Sequence, residues 1–265
     1  MKKAALILTQ IGTLLGSIAF LATTARAAPG GTEIVHVFLH KTVSATELAS
    51  NAVGQVELRQ NRQGHADNQR LRVQLGHLEA NANFQLFAWL GDDTNATYVG
   101  PIHSNTNGLA RVDYWSVASR HGFGAARGHD PLPAVLNPVS QIRALAVTDA
   151  STQAVVTADL TMPDKLEYLV RRPLTNDGVE PSARGTLWLH STVASARVRV
   201  AATGLTATND YFLAVNGNTV MTNAAGIRGR LVFNGALRNP ADILDVHSLA
   251  VWNSASNSVL SATLP

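Results

Sequence analysis

Through most of the chain, apolar and polar residues alternate with a period of two. Leu71, Val73 and Leu75 alternate with Arg70, Arg72 and Gln74, and Val198, Val200 and Ala202 alternate with Arg197, Arg199 and Ala201. Successive side chains of a strand point to opposite faces, so this spacing gathers aliphatic groups on one side and guanidinium groups on the other. The breaks are turn formers. Asn216-Gly217-Asn218 separates Phe212–Val215 from Thr219–Met221, a two-residue hairpin signal. Asn107-Gly108 and Ala225-Gly226 each precede another strand. No segment carries a capped stripe of period 3.6, and Thr46–Asn51 is assigned a single helical turn. The pattern predicts strands near 34–43, 53–60, 69–77, 83–90, 97–103, 109–117, 141–148 and 153–160. It predicts a second set near 165–174, 184–190, 195–203, 210–216, 219–222, 227–233, 245–252 and 257–264.

The two sets read as one unit written twice. Leu145-Ala146-Val147, seven further residues, then Val155, Ala158 and Leu160 match Leu249-Ala250-Val251, seven residues, then Val259, Ala262 and Leu264. Gly54 and Leu58 match Gly185 and Leu189 at an offset of 131, which falls to 127 where Leu71, Val73 and Leu78 face Val198, Val200 and Leu205. Asn105 and Gly108 align with Asn223 and Gly226, and Asn137-Pro138 with Asn239-Pro240. The falling offset places about sixteen extra residues between Gly108 and Asn137 of the first copy. Many short strands at even spacing, each with one apolar face, indicate an all-β protein of two tandem antiparallel β-sandwich domains, immunoglobulin-like or Greek-key in order. The expected domains are 33–160, with a long loop over 113–136, and 164–265. Thr161-Met162-Pro163-Asp164 joins them. One continuous sandwich or barrel built from both copies is the alternative.

The ends change how the charge is read. Lys2 and Lys3 precede an apolar run from Ala4 to Ala22, and Ala25-Arg26-Ala27 supplies a small-x-small cleavage pattern, so residues 1–27 read as a cleaved signal peptide. The chain holds 21 Lys and Arg against 18 Asp and Glu, and three of the basic residues (Lys2, Lys3, Arg26) leave with that segment. The mature chain is then neutral, without the basic excess expected of a nucleic-acid partner. With Cys count 0, no disulfide closes the fold, and burial alone must hold it. The expected location is exported, periplasmic or extracellular, with no membrane anchor after cleavage. A protein or a glycan on that side is the expected partner.

Chemistry is sparse. The serine elbow, the phosphate loop and the H-E-x-x-H zinc signature are absent, and Gly122–Gly128 has the glycines of a dinucleotide fingerprint in the wrong spacing. No metal, cofactor or catalytic residue is expected. His36 and His40 share a strand face about 13 Å apart, too far to chelate one ion at zinc–nitrogen distances of about 2 Å. His65 and His77 read as turn residues, and Asp92-Asp93-Thr94-Asn95 as a polar turn. Trp188 and Trp252 fall in strands, where core or interdomain packing is the default. The extra segment of the first copy is the candidate ligand site, because long connections without structure of their own are uncommon. There Tyr114 and Trp115 would offer a stacking face, with Arg120, His121, Arg127 and Asp130 as polar contacts. Gly226-Ile227-Arg228-Gly229-Arg230-Leu231 is similar to the closing G-x-I-R-G-x-L of the CHRD β-domain of secreted bacterial proteins. That likeness covers six residues, the first copy has Gly108-Leu109-Ala110-Arg111-Val112 there, and the family's paired histidine strand is missing, so no family is assigned. The expectation is an exported, non-enzymatic protein with an interaction or structural role. A carbohydrate-binding module and a secreted hydrolase, each using the 113–136 loop, are the alternatives.

Overall fold

The computed structural model describes residues 33–64, 66–116, 130–237 and 240–264. The expected signal segment, together with Arg120, His121 and Arg127, lies outside the described residues. Within them the protein is all-β. Its only helices are short 3-10 turns, the longest Pro240–Asp245, and none is long and apolar enough to cross a membrane. The first half forms β1 (Ile34–Thr42), β2 (Ser44–Ala45), β3 (Val53–Gln63), β4 (Ala66–Gly76), β5 (Asn83–Leu90), β6 (Thr97–His103), β7 (Ala110–Trp115), β8 (Asp130–Pro131), β9 (Ile142–Thr148) and β10 (Ala154–Asp159). The second half forms β11 (Lys165–Asn176), β12 (Arg184–Thr192), β13 (Ser195–Thr203), β14 (Asp210–Val215), β15 (Asn218–Ala224), β16 (Leu231–Leu237), β17 (Ser248–Asn253) and β18 (Ser258–Thr263).

Each strand expected from the alternation has a counterpart. The expected helical turn is the 3-10 turn Glu47–Ala49. Asn216 (φ 47°) and Gly217 (φ 78°) make the tight turn between β14 and β15, the left-handed pair that this hairpin needs. The largest displacement is at β16, which starts four residues later than 227. Residues 226–230 are a turn instead, closed by the Gly226 N–H on the Arg230 carbonyl at 2.8 Å. Gly229 there has φ +62°, and a Cβ on it would lie 2.2 Å from the Leu205 carbonyl oxygen. Gly108 has the same geometry, with φ +68° and a Cβ on it 2.3 Å from the Leu78 carbonyl oxygen. At both positions the close approach of another backbone, rather than spacing along the chain, requires the glycine.

β1, β3, β4 and β7 pair antiparallel in that order, and β8 adds a two-residue parallel bridge to β7. A separate five-stranded sheet runs β2-β10-β9-β5-β6. In the second half β11, β12, β13 and β16 pair in order, and β18-β17-β14-β15 follow one another. An immunoglobulin domain sends its third strand to the opposite sheet. Here β4 stays beside β3, because only residues 64–65 separate them and so short a connection makes neighbours of the two strands.

Inner-face residues of both layers form the core. Val56 and Val73 from one layer and Leu86, Leu145, Val147 and Val156 from the other line a common small void. At the end of this core, Gln69 is buried and bridges the layers. Its Nε2 donates to Asn137 Oδ1 at 2.7 Å and to Asp67 Oδ2 at 3.0 Å, while its Oε1 accepts from the Val139 N–H at 2.8 Å.

The halves are not merely adjacent. β1 pairs with β11 through Ile34↔Arg171 to His40↔Lys165, and the ladder is part of a 13-stranded sheet. Val37 faces Tyr168 at its centre. Tyr168 is buried, and burial pushes its phenol well above the ordinary range against the pull of Arg143 and Arg172. The joining segment folds back onto this seam. Asp164 Oδ2 accepts from the Thr42 N–H at 2.6 Å, and its own N–H donates to the His40 carbonyl at 2.9 Å. Arg143 donates to the carbonyls of Ser140 and Leu244, tying the five-stranded sheet to the second half.

Candidate functional site

Strand alternation decides what the shared sheet shows to solvent. In β3, β4 and β7 the inward positions are largely aliphatic, leaving Glu57, Arg59, Arg70, Arg72, Asp113 and Trp115 on the outer face. Register aligns them in rows. Trp115 stands opposite Arg70, Arg70 opposite Arg59, and Arg59 opposite Phe38. In the next row Asp113 stands opposite Arg72, Arg72 opposite Glu57, and Glu57 opposite His40.

Asp113 is the hub, its side chain 5 % exposed. Arg70 meets it with two 2.7 Å bonds from Nε and Nη2, Arg72 donates through Nε at 3.2 Å, and Arg111 through Nη2 at 2.8 Å. Glu57 Oε1 takes Arg59 at 2.9 Å and lies 3.6 Å from Arg70. Four guanidinium groups thus share two carboxylates, and the surplus charge is positive. Rings fix the guanidinium planes. Arg70 lies over Trp115 at 4.5 Å and Arg59 over Phe38 at 5.1 Å. Stacking and bidentate pairing suit arginine's flat fork and hold it in one orientation.

The same face continues across the seam. Arg171 and Arg199, on the strands that flank Trp188, lie 5.6 and 5.4 Å from the centroid of its ring. Trp188 is therefore neither a core residue nor an interdomain contact, as its strand position suggested. It faces outward because Leu187 and Leu189 take the inward positions. His36 lies 3.8 Å from Glu167 across the seam, and His40 hydrogen-bonds Gln55 at 2.9 Å. Each histidine has a polar neighbour on the same face, and Nδ1 of His40 is buried without a hydrogen-bond partner.

Of the residues expected to form the ligand site, Tyr114, Trp115 and Asp130 are described. Residues 113–115 belong to β7 and 130–131 to β8, so the expected 113–136 loop is strand at both of these points. Tyr114 points inward and is buried. Burial first, then the Asp130 and Tyr98 charges, pushes its phenol up, and it offers no stacking face. Trp115 faces outward with Arg70 over its ring, and Asp130 is exposed opposite Tyr114. Sequence reading missed Asp113 and its arginines. The alternation at Arg70-Leu71-Arg72 and Arg197-Val198-Arg199 put charge on the outer face, but only the register brings those charges together.

A second feature is an open cleft of about 510 Å³ beside Trp89, where Asp93, Arg143 and Asp159 converge. Asp159 is already bound by the Thr161 N–H and hydroxyl at 2.9 and 2.6 Å, and Arg143 by backbone carbonyls. Among the described residues no three His, Cys, Asp or Glu side chains gather as metal ligands would. No family model and no curated protein matches the chain. The short CHRD-like stretch is the turn into β16. Residues Asn105 to Leu109 close the same turn in the first half, with the Asn105 N–H on the Leu109 carbonyl at 2.9 Å.

Proposed function

We propose that this chain is an exported, non-enzymatic interaction protein, built from two copies of one β-sandwich unit and binding its partner through the outer face of the shared sheet. The observation that carries the reading is that face, a broad surface of ring-stacked arginines running across both halves. Stacked, hydrogen-bonded side chains on strands are pre-ordered for binding. Catalysis is disfavoured by the same geometry, since Asp113 accepts from three guanidinium groups and is poorly placed to move a proton.

The duplication is supported by irregular features as well as by pairing order. Gly108 and Gly229 close equivalent turns onto Leu78 and Leu205, at 3.1 and 3.2 Å. Thr152 and Ser256, 104 residues apart, both take a left-handed backbone in equivalent hairpins. Val37 and Tyr168, matched at the 131 offset, are also direct partners in the seam. A pseudo-two-fold axis therefore passes between them, the geometry of an isologous dimer fused into one chain. An envelope or extracellular location rests on the N-terminal signal pattern.

The test is sedimentation of purified protein with washed cell envelopes. Wild type and an off-face control, Arg230→Glu, are expected in the pellet, and the Arg197→Glu/Arg199→Glu variant in the supernatant. Equal retention of all three would overturn the reading.

A further inference from the structure

The face described above is more basic than the whole chain. In the first half it sets Arg59, Arg70, Arg72 and Arg111 against Glu57 and Asp113. Across the seam it sets Lys165, Arg171, Arg197 and Arg199 against Glu167. No ion pair to a carboxylate is seen at Arg171, Arg197 or Arg199 among the described residues, and all three are exposed. A chain of net charge +3 therefore concentrates its positive charge, because the alternation that buries Leu71 and Val198 sends the flanking arginines to one surface.

We infer that this face binds an anionic polysaccharide, lying across the strands and spanning the seam. The inference rests on the interaction reading above and names its ligand. Charge complementarity selects a polyanion, and three observations select a glycan among polyanions. The rings carry cations already, with one guanidinium group over Trp115, one over Phe38 and two over Trp188. Single-stranded nucleic acid binds by stacking bases on aromatic faces, and here arginine already competes for those faces. A lipid surface takes apolar groups into its interface, whereas the arginine rows of this face present charged groups. The cations, finally, recur in a lateral series. Adjacent strands lie about 4.8 Å apart, so Arg171 on β11 and Arg199 on β13 stand about 10 Å apart, and β13 to β4 covers a width of about 24 Å. The Arg171–Arg199 row meets Gln63 on β3, about 13 Å along the strands from the Arg59–Arg70 row, so the series crosses the seam diagonally. Acidic polysaccharides carry a carboxylate or sulfate on every sugar or every second sugar, and arginine's planar fork matches both groups.

The experiment titrates the full chain with polygalacturonate, heparin, neutral dextran, poly(dT) and phosphatidylglycerol vesicles, at about 0.02 M and about 0.5 M salt. The two acidic glycans are expected to bind at low salt and weaken at high salt, and dextran not to bind. Arg197→Glu/Arg199→Glu and, separately, Arg59→Glu are each expected to lower glycan affinity about tenfold or more. Arg230→Glu should leave it unchanged, with circular dichroism confirming that every variant is folded. Binding to poly(dT) or vesicles but not to acidic glycans would overturn the inference, as would equal binding of dextran. A loss confined to the second-half variant would overturn the seam-spanning footprint. If envelope retention still depends on the face while no acidic glycan binds, the interaction reading stands and the ligand named here falls.

Discussion

At the scale of single residues, the buried polar groups set the tightest limits. Gln69 uses both ends of its amide to join Asp67, Asn137 and the Val139 N–H. Gln69→Leu keeps similar bulk but strands a buried donor and an acceptor, and is expected to destabilise the fold by about 1–3 kcal/mol in chemical denaturation. A change within about 0.3 kcal/mol would mean that water replaces the amide. None of this was legible beforehand. Gln69 lies at a strand start in a run of polar residues, and only the return of residues 137–139 over it makes it internal. Trp115 shows the opposite case. Its outward direction follows from strand parity, whereas the Arg70 cap depends on a partner strand that parity does not identify.

At the scale of elements, turns and strand ends carry the specificity. Gly229→Ala places a methyl 2.2 Å from the Leu205 carbonyl at φ +62°. It is expected to cost about 1–3 kcal/mol of stability, read as a lowered denaturation midpoint. The joining segment gives a pH signature. Asp164 is held down at about 2 from 3.8, chiefly by the Thr42 N–H, and then by Lys41. A depressed folded-state pKa stabilises above the unfolded value and loses that contribution as pH falls through the folded one. Wild type should thus lose stability between about 4 and 2 through this group, and Asp164→Asn should flatten that part of the stability–pH curve. An unchanged slope there would remove Asp164 from the seam's account. Strand positions were largely legible because period-two alternation survives wherever one face is buried. β16 was displaced because Ile227 imitates the alternation, whereas Gly229 requires a turn.

At the scale of the whole molecule, the β1–β11 ladder makes one body of two halves. Tyr168 lies at its centre, 1 % exposed and facing Val37. Wild type is expected to unfold in a single transition, with calorimetric and van't Hoff enthalpies equal. Tyr168→Ala should cost about 3–5 kcal/mol and broaden or split that transition, because the cavity opens where the halves meet. Two resolved transitions already in wild type would show that the seam does not couple them. By itself the sequence determined the all-β class, the strand positions and which residues of each strand turn outward. Those properties depend on local periodicity and turn chemistry. Only tertiary structure decided that the third strand stays beside the second, that the first strands of the two halves pair, and that scattered arginines become one surface. Pairing partners and register are long-range choices. They are set by which apolar faces meet and which backbone edges are left open, and no window of neighbouring residues contains that information.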